Sequence, residues 1–278
     1  MITPVSYHRP ASLTEALQLA QEPGAIALAG GAATFGSLDL PYQTIIDLQA
    51  IPDLKRIEAV ESNIYFGAAC SLQQIVETAE LPEAVRRSLT RAIPLNHRHG
   101  TSVGESLLQV SRFPEWLAVL VAHDAGVEFL DFKGKSLVSA VSELLENDDP
   151  FAGKIITGLH IALLGHGEAL GAAHIARTPS DSPILCGAAF VQLEGDTVEM
   201  AYAALGGGIP QAAQRLHLLA LEGQPLSDEA IRTAVEAVAD QIDPTSDHLA
   251  SADYRRAMIP VVLRRALEDC RDFLRSGL

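Results

Sequence analysis

Four strand-length apolar segments, at 155–164, 170–175, 184–193 and 197–205, constrain the fold more than anything else in the sequence. They follow one another with only turns between them, so they read as strands that form antiparallel hairpins late in the chain. The last quarter then reverts to helical spacing, with predicted helices at 209–222, 227–241 and 252–274. A block of hairpins followed by a block of helices predicts an α+β protein in two or three packed layers.

Upstream of the hairpins the pattern is mixed. Ser12 begins a predicted helix near 11–20, with Glu15 three residues on and Leu13, Ala16, Leu17 and Ala20 at helical spacing. The apolar run Ala25-Ile26-Ala27-Leu28-Ala29 has the length of a buried strand and runs straight into Gly30-Gly31. Strands are predicted at 44–48, 54–60, 63–68 and 127–130, and helices at 71–79, 82–92 and 137–145. The continuous apolar run at 116–122 is a buried helix or strand, which length alone does not decide. The segment 96–106 is read as a polar loop, and Asp148-Asp149 as part of a solvated acidic one.

Composition excludes several classes. The chain has 278 residues, 48 % of them hydrophobic and 20 % charged, which is ordinary for globular domains and too apolar for a disordered chain. A formal net charge of −15 with no basic stripe argues against nucleic acid and against anionic membrane surfaces. No apolar run reaches the roughly 20 residues of a membrane span. The start Met1-Ile2-Thr3-Pro4 has no secretion-signal pattern, so a cytoplasmic location is expected. Cys70, Cys186 and Cys270 are scattered and form no CxxC pair, which argues against metal ligands or disulfides, and Cys70 and Cys186, each inside an apolar segment, are expected to be buried thiols.

Two segments carry ligand-binding chemistry. In Leu28-Ala29-Gly30-Gly31-Ala32-Ala33-Thr34 a strand feeds a glycine turn, whose successive N–H groups suit an anion such as a diphosphate. In Asn96-His97-Arg98-His99-Gly100-Thr101-Ser102-Val103-Gly104-Glu105-Ser106, hydroxyls, backbone donors and Arg98 offer groups to phosphate oxygens. Each has a plain alternative, a simple turn and a polar surface loop. His97 and His99 lack a third ligand at metal-site spacing, and no catalytic triad or carboxylate pair is visible, so neither a metal nor a catalytic residue is assigned.

Several motifs together resemble the FAD-binding medium subunit of molybdenum hydroxylases of the xanthine and carbon monoxide dehydrogenase type. Tyr7-His8-Arg9-Pro10-Ala11-Ser12-Leu13-Thr14-Glu15-Ala16-Leu17 resembles that family's "rPaSleEAl", and Ala29-Gly30-Gly31 its first flavin turn. Arg98 to Ser106 resembles its "RNxGTiGGN". His174-Ile175-Ala176-Arg177-Thr178-Pro179-Ser180-Asp181 resembles "KvarRpaD", Ala204-Leu205-Gly206-Gly207-Gly208 resembles "alGGva", and Ala252-Asp253-Tyr254-Arg255-Arg256 resembles "aeYRr".

The resemblance implies two FAD-binding subdomains, 1–55 and 56–165, and a C-terminal domain, 166–278. It implies electron transfer from a molybdopterin subunit through an iron–sulfur subunit to FAD, and on to NAD or another soluble acceptor. By the same resemblance Leu28 to Thr34 hold the diphosphate, and Arg98, Thr101, Ser102, Val103, Gly104 and Ser106 add donors. Glu115 stands near the adenosine end and His174 near the flavin.

The sequence departs from the pattern at Ala32, Glu105, Ser106, Ala173, His174 and Thr178. Glu105 puts a carboxylate and a Cβ where the family has glycine, and His174 replaces a fixed cation with one that exists only when protonated. These departures leave open a relative that has lost FAD and serves as a scaffold, an assembly factor or a binder of another ligand. Tyr254-Arg255-Arg256 is expected to serve packing.

Overall fold

The computed structural model describes residues 6–29, 44–109, 112–131, 133–145, 154–178, 181–209 and 213–276. In chain order its elements begin with β1 (Ser6–His8), α1 (Leu13–Leu19), β2 (Ala25–Leu28), β3 (Thr44–Asp47), β4 (Ile57–Val60) and β5 (Asn63–Gly67). Five helices follow: α2 (Leu72–Glu77), α3 (Glu83–Ala92), α4 (Leu95–Gly100), α5 (Val103–Leu108) and α6 (Pro114–Ala122). Next come β6 (Gly126–Leu130), β7 (Ser136–Ala140), α7 (Val141–Leu144), β8 (Ile155–Ala162) and β9 (Glu168–Ile175). The chain closes with β10 (Leu185–Glu194), β11 (Thr197–Gly206), β12 (Gln214–His217), α8 (Asp228–Ala239) and α9 (Ala252–Ser276).

The chain divides into two compact units, Met1–Ala79 with Pro94–Gln109 and Ala125–Ala162, and Glu80–Ile93 with Val110–Asp124 and Leu163–Leu278. In the first, β1, β3 and β2 form a parallel sheet in that order, with Thr44 opposite both Ser6 and Ala25. α1 supplies the crossover that a parallel pair needs. It starts where the sequence predicts, because the Ser12 side chain accepts from the Glu15 N–H while the Glu15 carboxylate accepts from the Ala11 N–H. Parallel strands place the segment after β2 at their carboxyl ends, the usual ligand side of such sheets.

The other sheet of this unit is antiparallel, in the order β4-β5-β8-β6-β7. The predicted helix at 137–145 is corrected here. Its first half is β7, an edge strand paired with β6 from Gly126↔Ala140 to Leu130↔Ser136, and only Val141–Leu144 is helical. Leu137, Val141 and Leu144 are spaced for a helix. The Asp131 carboxylate, accepting from the N–H groups of Lys133 and Lys135, instead folds the chain into a turn that brings 136–140 beside β6.

Of the four predicted hairpin segments β8 belongs to the first unit, and in the second β9, β10 and β11 form an antiparallel sheet with β12 in the order β12-β11-β10-β9. The predicted helix at 209–222 is corrected. Residues 214–217 are β12, pairing Leu216 with Ala203 and Arg215 with Ala204, and a single 3-10 turn, Leu219–Leu221, follows. Sheet pairing and the placement of Leu216 in the core outweigh the weak helical spacing.

Ala169, Ala173, Ala189, Val191, Ala201, Ala203 and Leu205 pack on one side of this sheet with Ile231, Ala234 and Val235 of α8 and Ile259, Val262, Leu263, Ala266 and Leu267 of α9. The opposite side meets α6, as Gly206 shows. A Cβ there would stand 2.7 Å from the Pro114 carbonyl oxygen, so the approach requires glycine. α6 is thus the run the sequence left undecided. It is buried all round, the signature of an interior helix, and its residues from Glu115 to Ala122 are all inaccessible.

Cys70 and Cys186 are buried thiols, as expected, and so is Cys270. Of Tyr254-Arg255-Arg256 only Arg255 is buried and packs, while Tyr254 and Arg256 are exposed. Arg255 donates two hydrogen bonds of 2.8 Å to Asp247 and others to the carbonyls of Ile184, Thr245 and Ala250. Among the described residues no helix is long and apolar enough to cross a membrane.

Candidate functional site

The first predicted turn leaves β2 through Leu28 and Ala29, both buried. Gly30, Gly31, Ala32, Ala33 and Thr34 lie outside the described residues, as do the acidic loop with Asp148-Asp149 and Pro179-Ser180 of the third motif.

The second predicted turn is not an open loop. It consists of two single-turn helices, α4 and α5, joined by Thr101 and Ser102. Arg98, expected to reach outward for phosphate, is buried and donates through Nε to the Gln73 side chain at 2.8 Å. Burial lowers its pKa. The Ser102 hydroxyl caps α5 by accepting from the Glu105 N–H at 3.1 Å, and the Ser106 hydroxyl donates to the Val103 carbonyl at 2.8 Å.

The backbone donors are also engaged. Val103 and Gly104 donate to the carbonyls of Cys70 and Ala68, Ser106 donates to that of Ser102, and Thr101 to that of His97. The Glu105 side chain is buried. Among the predicted residues here, then, most polar groups serve the fold of α4 and α5 itself.

Gly104 shows where the second segment meets Ala29. A Cβ on Gly104 would lie 3.2 Å from the Ala68 Cβ, 3.3 Å from the Ala68 oxygen and 3.7 Å from the Ala29 Cβ. The start of α5 therefore packs against Ala68 and against Ala29, the residue that follows β2. Residues about seventy positions apart in sequence share one edge of this unit.

In the second unit, two predicted residues come together around one that the sequence did not single out. Arg91 of α3 donates to Glu115 of α6 at 3.1 Å and lies 2.5 Å from Nδ1 of His174 on β9. Glu115 Oε2 is 3.7 Å from the same Nδ1, close enough to count as an ion pair if both were charged.

The titration of the two groups argues against that pair. Burial drives the Glu115 carboxyl up to about 7 despite Arg91 and Arg87, because removing a carboxylate from water costs more than one or two guanidinium groups return. Burial and the same two arginines hold His174 down to about 4. His174 is therefore neutral at physiological pH, and its Nδ1 accepts from Arg91, which leaves its proton on Nε2. The fixed positive charge of this cluster is Arg91. His174 would carry a charge only when protonated, and burial with the two arginines disfavours that form here.

A spacing signal for this was available. Arg87 and Arg91 are one helical turn apart in the predicted helix 82–92 and so share a face, an arrangement that costs energy unless acids answer it. Here they are Glu115 for Arg91 and Asp269 for Arg87.

Residues 3–161 match the family described as the FAD binding domain in molybdopterin dehydrogenase. The chain belongs to that family. Residues 173–270 match the C-terminal domain of the carbon monoxide dehydrogenase flavoprotein. Relatives within this molybdopterin dehydrogenase family include the nicotine 6-hydroxylase medium subunit of Paenarthrobacter nicotinovorans, 25 % identical over 95 % of this chain and 96 % of that one. Another is the carbon monoxide dehydrogenase medium chain of Hydrogenophaga pseudoflava, also 25 % identical, over 96 % and 97 %. The fold matches solved carbon monoxide dehydrogenase from Hydrogenophaga pseudoflava with a TM-score of 0.86 at 20 % identity, covering 98 % of this chain and 99 % of that one. Quinoline 2-oxidoreductase from Pseudomonas putida 86 gives 0.85 at 20 % identity, over 99 % of both chains.

FAD is the cofactor of this molybdopterin dehydrogenase family, and the described residues bring Gly104 of the second segment close to Ala29 at the carboxyl end of β2. The N–H groups of Thr101, Val103, Gly104 and Ser106, by contrast, already have acceptors within the unit.

Proposed function

We propose that this molybdopterin dehydrogenase homologue binds FAD and serves as the electron-transfer subunit of a molybdenum hydroxylase-type complex. It would receive electrons from an iron–sulfur subunit, itself supplied by a molybdopterin subunit, and pass them to NAD or another soluble acceptor. The observation that supports the reading is the packing of Gly104 against Ala68 and Ala29, which brings the second flavin-type segment to the carboxyl end of β2. FAD, when bound, supplies the redox chemistry, and the chain supplies binding, orientation and electrostatics.

Within this proposal the diphosphate is held by backbone N–H groups of Gly30, Gly31, Ala32, Ala33 and Thr34, since most donors of the second turn are committed to the fold. Arg98, Thr101, Ser102, Val103, Gly104 and Ser106 then act by holding the second segment in place against Ala68 and Ala29. In the second unit Arg91, gripped by Glu115 and His174, provides the fixed positive charge on the flavin side.

One observation favours a second reading, a relative that no longer holds FAD and serves as a scaffold, an assembly factor or a binder of another ligand. Glu105 is buried where the family pattern has a glycine, beside Gly104. Visible absorption of the purified chain, before and after FAD is added, separates the two. A flavin spectrum with saturable binding supports the first reading, and the absence of any FAD binding eliminates it. Replacing Glu105→Gly together with Ser106→Asn is expected to raise FAD affinity by about tenfold or more, the scale of one or two recovered buried contacts.

A further inference from the structure

Around the Arg91 cluster the second unit carries a recess of about 360 Å³, lined by Arg87, Arg91, Ala172, His174, Arg265 and Asp269 among others. We propose that this recess binds a phosphate dianion, free or as the ester of a small metabolite, through the guanidinium groups of Arg87, Arg91 and Arg265. The inference does not require the flavin reading, although the two share Arg91 and His174.

Charge is the first argument. Three guanidinium groups converge here from α3 and α9, answered by the carboxylates of Asp269 and Glu115. The recess keeps a local excess of positive charge in a chain whose formal net charge is −15. Glu115 holds its proton into the neutral range, which leaves Arg91 with less than a full countercharge.

Availability is the second argument. Arg265 is exposed and has no hydrogen-bond or ion-pair partner among the described residues, although it lines the recess. Arg87 bonds Asp269 and the Ala172 carbonyl through one nitrogen, Nη2, and its fork has further donors. Ala172 and Ala173 are short, so the recess is not filled from β9.

Geometry selects phosphate over carboxylate. Donors that approach from two helices suit a tetrahedral group with three free oxygens, whereas a planar carboxylate is satisfied by a single guanidinium fork.

The test uses the full-length chain with its flavin content recorded. Inorganic phosphate, phenyl phosphate and acetate are titrated by calorimetry at one ionic strength, with the fluorescence of Trp116, the only tryptophan and the neighbour of Glu115, as a second readout. Phosphate is expected to bind at least about tenfold more tightly than acetate, the increment of one charge-assisted hydrogen bond.

Arg265→Gln is expected to weaken phosphate by about tenfold without changing the melting temperature, since Arg265 is exposed and unpartnered. Arg264→Gln, which alters a pair with Glu268 and does not line the recess, is expected to leave it unchanged. Tighter binding of the phenyl ester than of phosphate identifies an esterified ligand, and the reverse identifies the free ion.

Equal affinity for phosphate and acetate, or no loss in both Arg265→Gln and Arg87→Gln, overturns the proposal. So does complete exclusion of phosphate by FAD, which would assign the recess to the flavin. If phosphate binds as predicted and FAD does not bind at all, only the flavin reading fails.

Discussion

Replacing Glu115→Gln isolates the cost of burying a carboxylate next to one arginine. In the folded chain Glu115 titrates at about 7, against an ordinary value of 4.5. A carboxyl raised by folding holds its proton after the unfolded chain has lost it. Between 4.5 and 7 the native state binds more protons than the unfolded state, so stability falls as pH rises through that window and is level above it. A shift of this size corresponds to roughly 3 kcal/mol, at about 1.4 kcal/mol per unit.

The glutamine keeps an oxygen for Arg91 and has no proton to lose. The variant is therefore expected to match the wild type near pH 4.5 and to exceed it by up to about 3 kcal/mol above pH 7. Denaturant unfolding followed through Trp116 at a series of pH values measures the difference. A difference that does not change with pH, or a wild type that is the more stable protein above pH 7, would falsify the reasoning, because the pull of Arg91 would then exceed the cost of burial.

His174→Gln is expected to show the opposite pH dependence. His174 is held at about 4 against 6.5, so the wild type loses stability as pH falls through that range while the variant does not, as unfolding titrations from 6.5 to 4 will reveal. Gly104→Ala places a methyl 3.2 Å from the Ala68 Cβ and 3.3 Å from its oxygen, which is expected to cost roughly 1–3 kcal/mol of stability and to weaken FAD binding by moving α5 away from Ala68 and Ala29. Thermal melts and flavin titration of one preparation check both effects. Arg255→Ala strips Asp247 and three carbonyls of their donor and is expected to cost about 3 kcal/mol or more, read as a lower denaturant midpoint.

The sequence by itself determined most of the elements and the family. Helix starts at Ser12, Ser71 and Ser227 and most of the strands predicted at 25–29, 54–60 and 63–68 were legible because caps and short apolar runs act over a few positions, although 54–55 closes a 3-10 turn and the strand begins only at Ile57. The ordered motifs along the chain likewise resembled the family to which it belongs. Strands β7 and β12 were misread because both lie at sheet edges, where pairing with a neighbour outweighs a weak helical spacing.

Only the tertiary structure decided the state of the candidate site. It turned the donors of 101–106 inward, buried Glu105 and Arg98, and chose Arg91 rather than His174 as the fixed cation. Arg91 lies 24 positions from Glu115 and 83 from His174. A proton's affinity for a side chain depends on water excluded and charges gathered within a few ångströms, and for this cluster those come from α3, α6 and β9, segments that meet only in the folded chain.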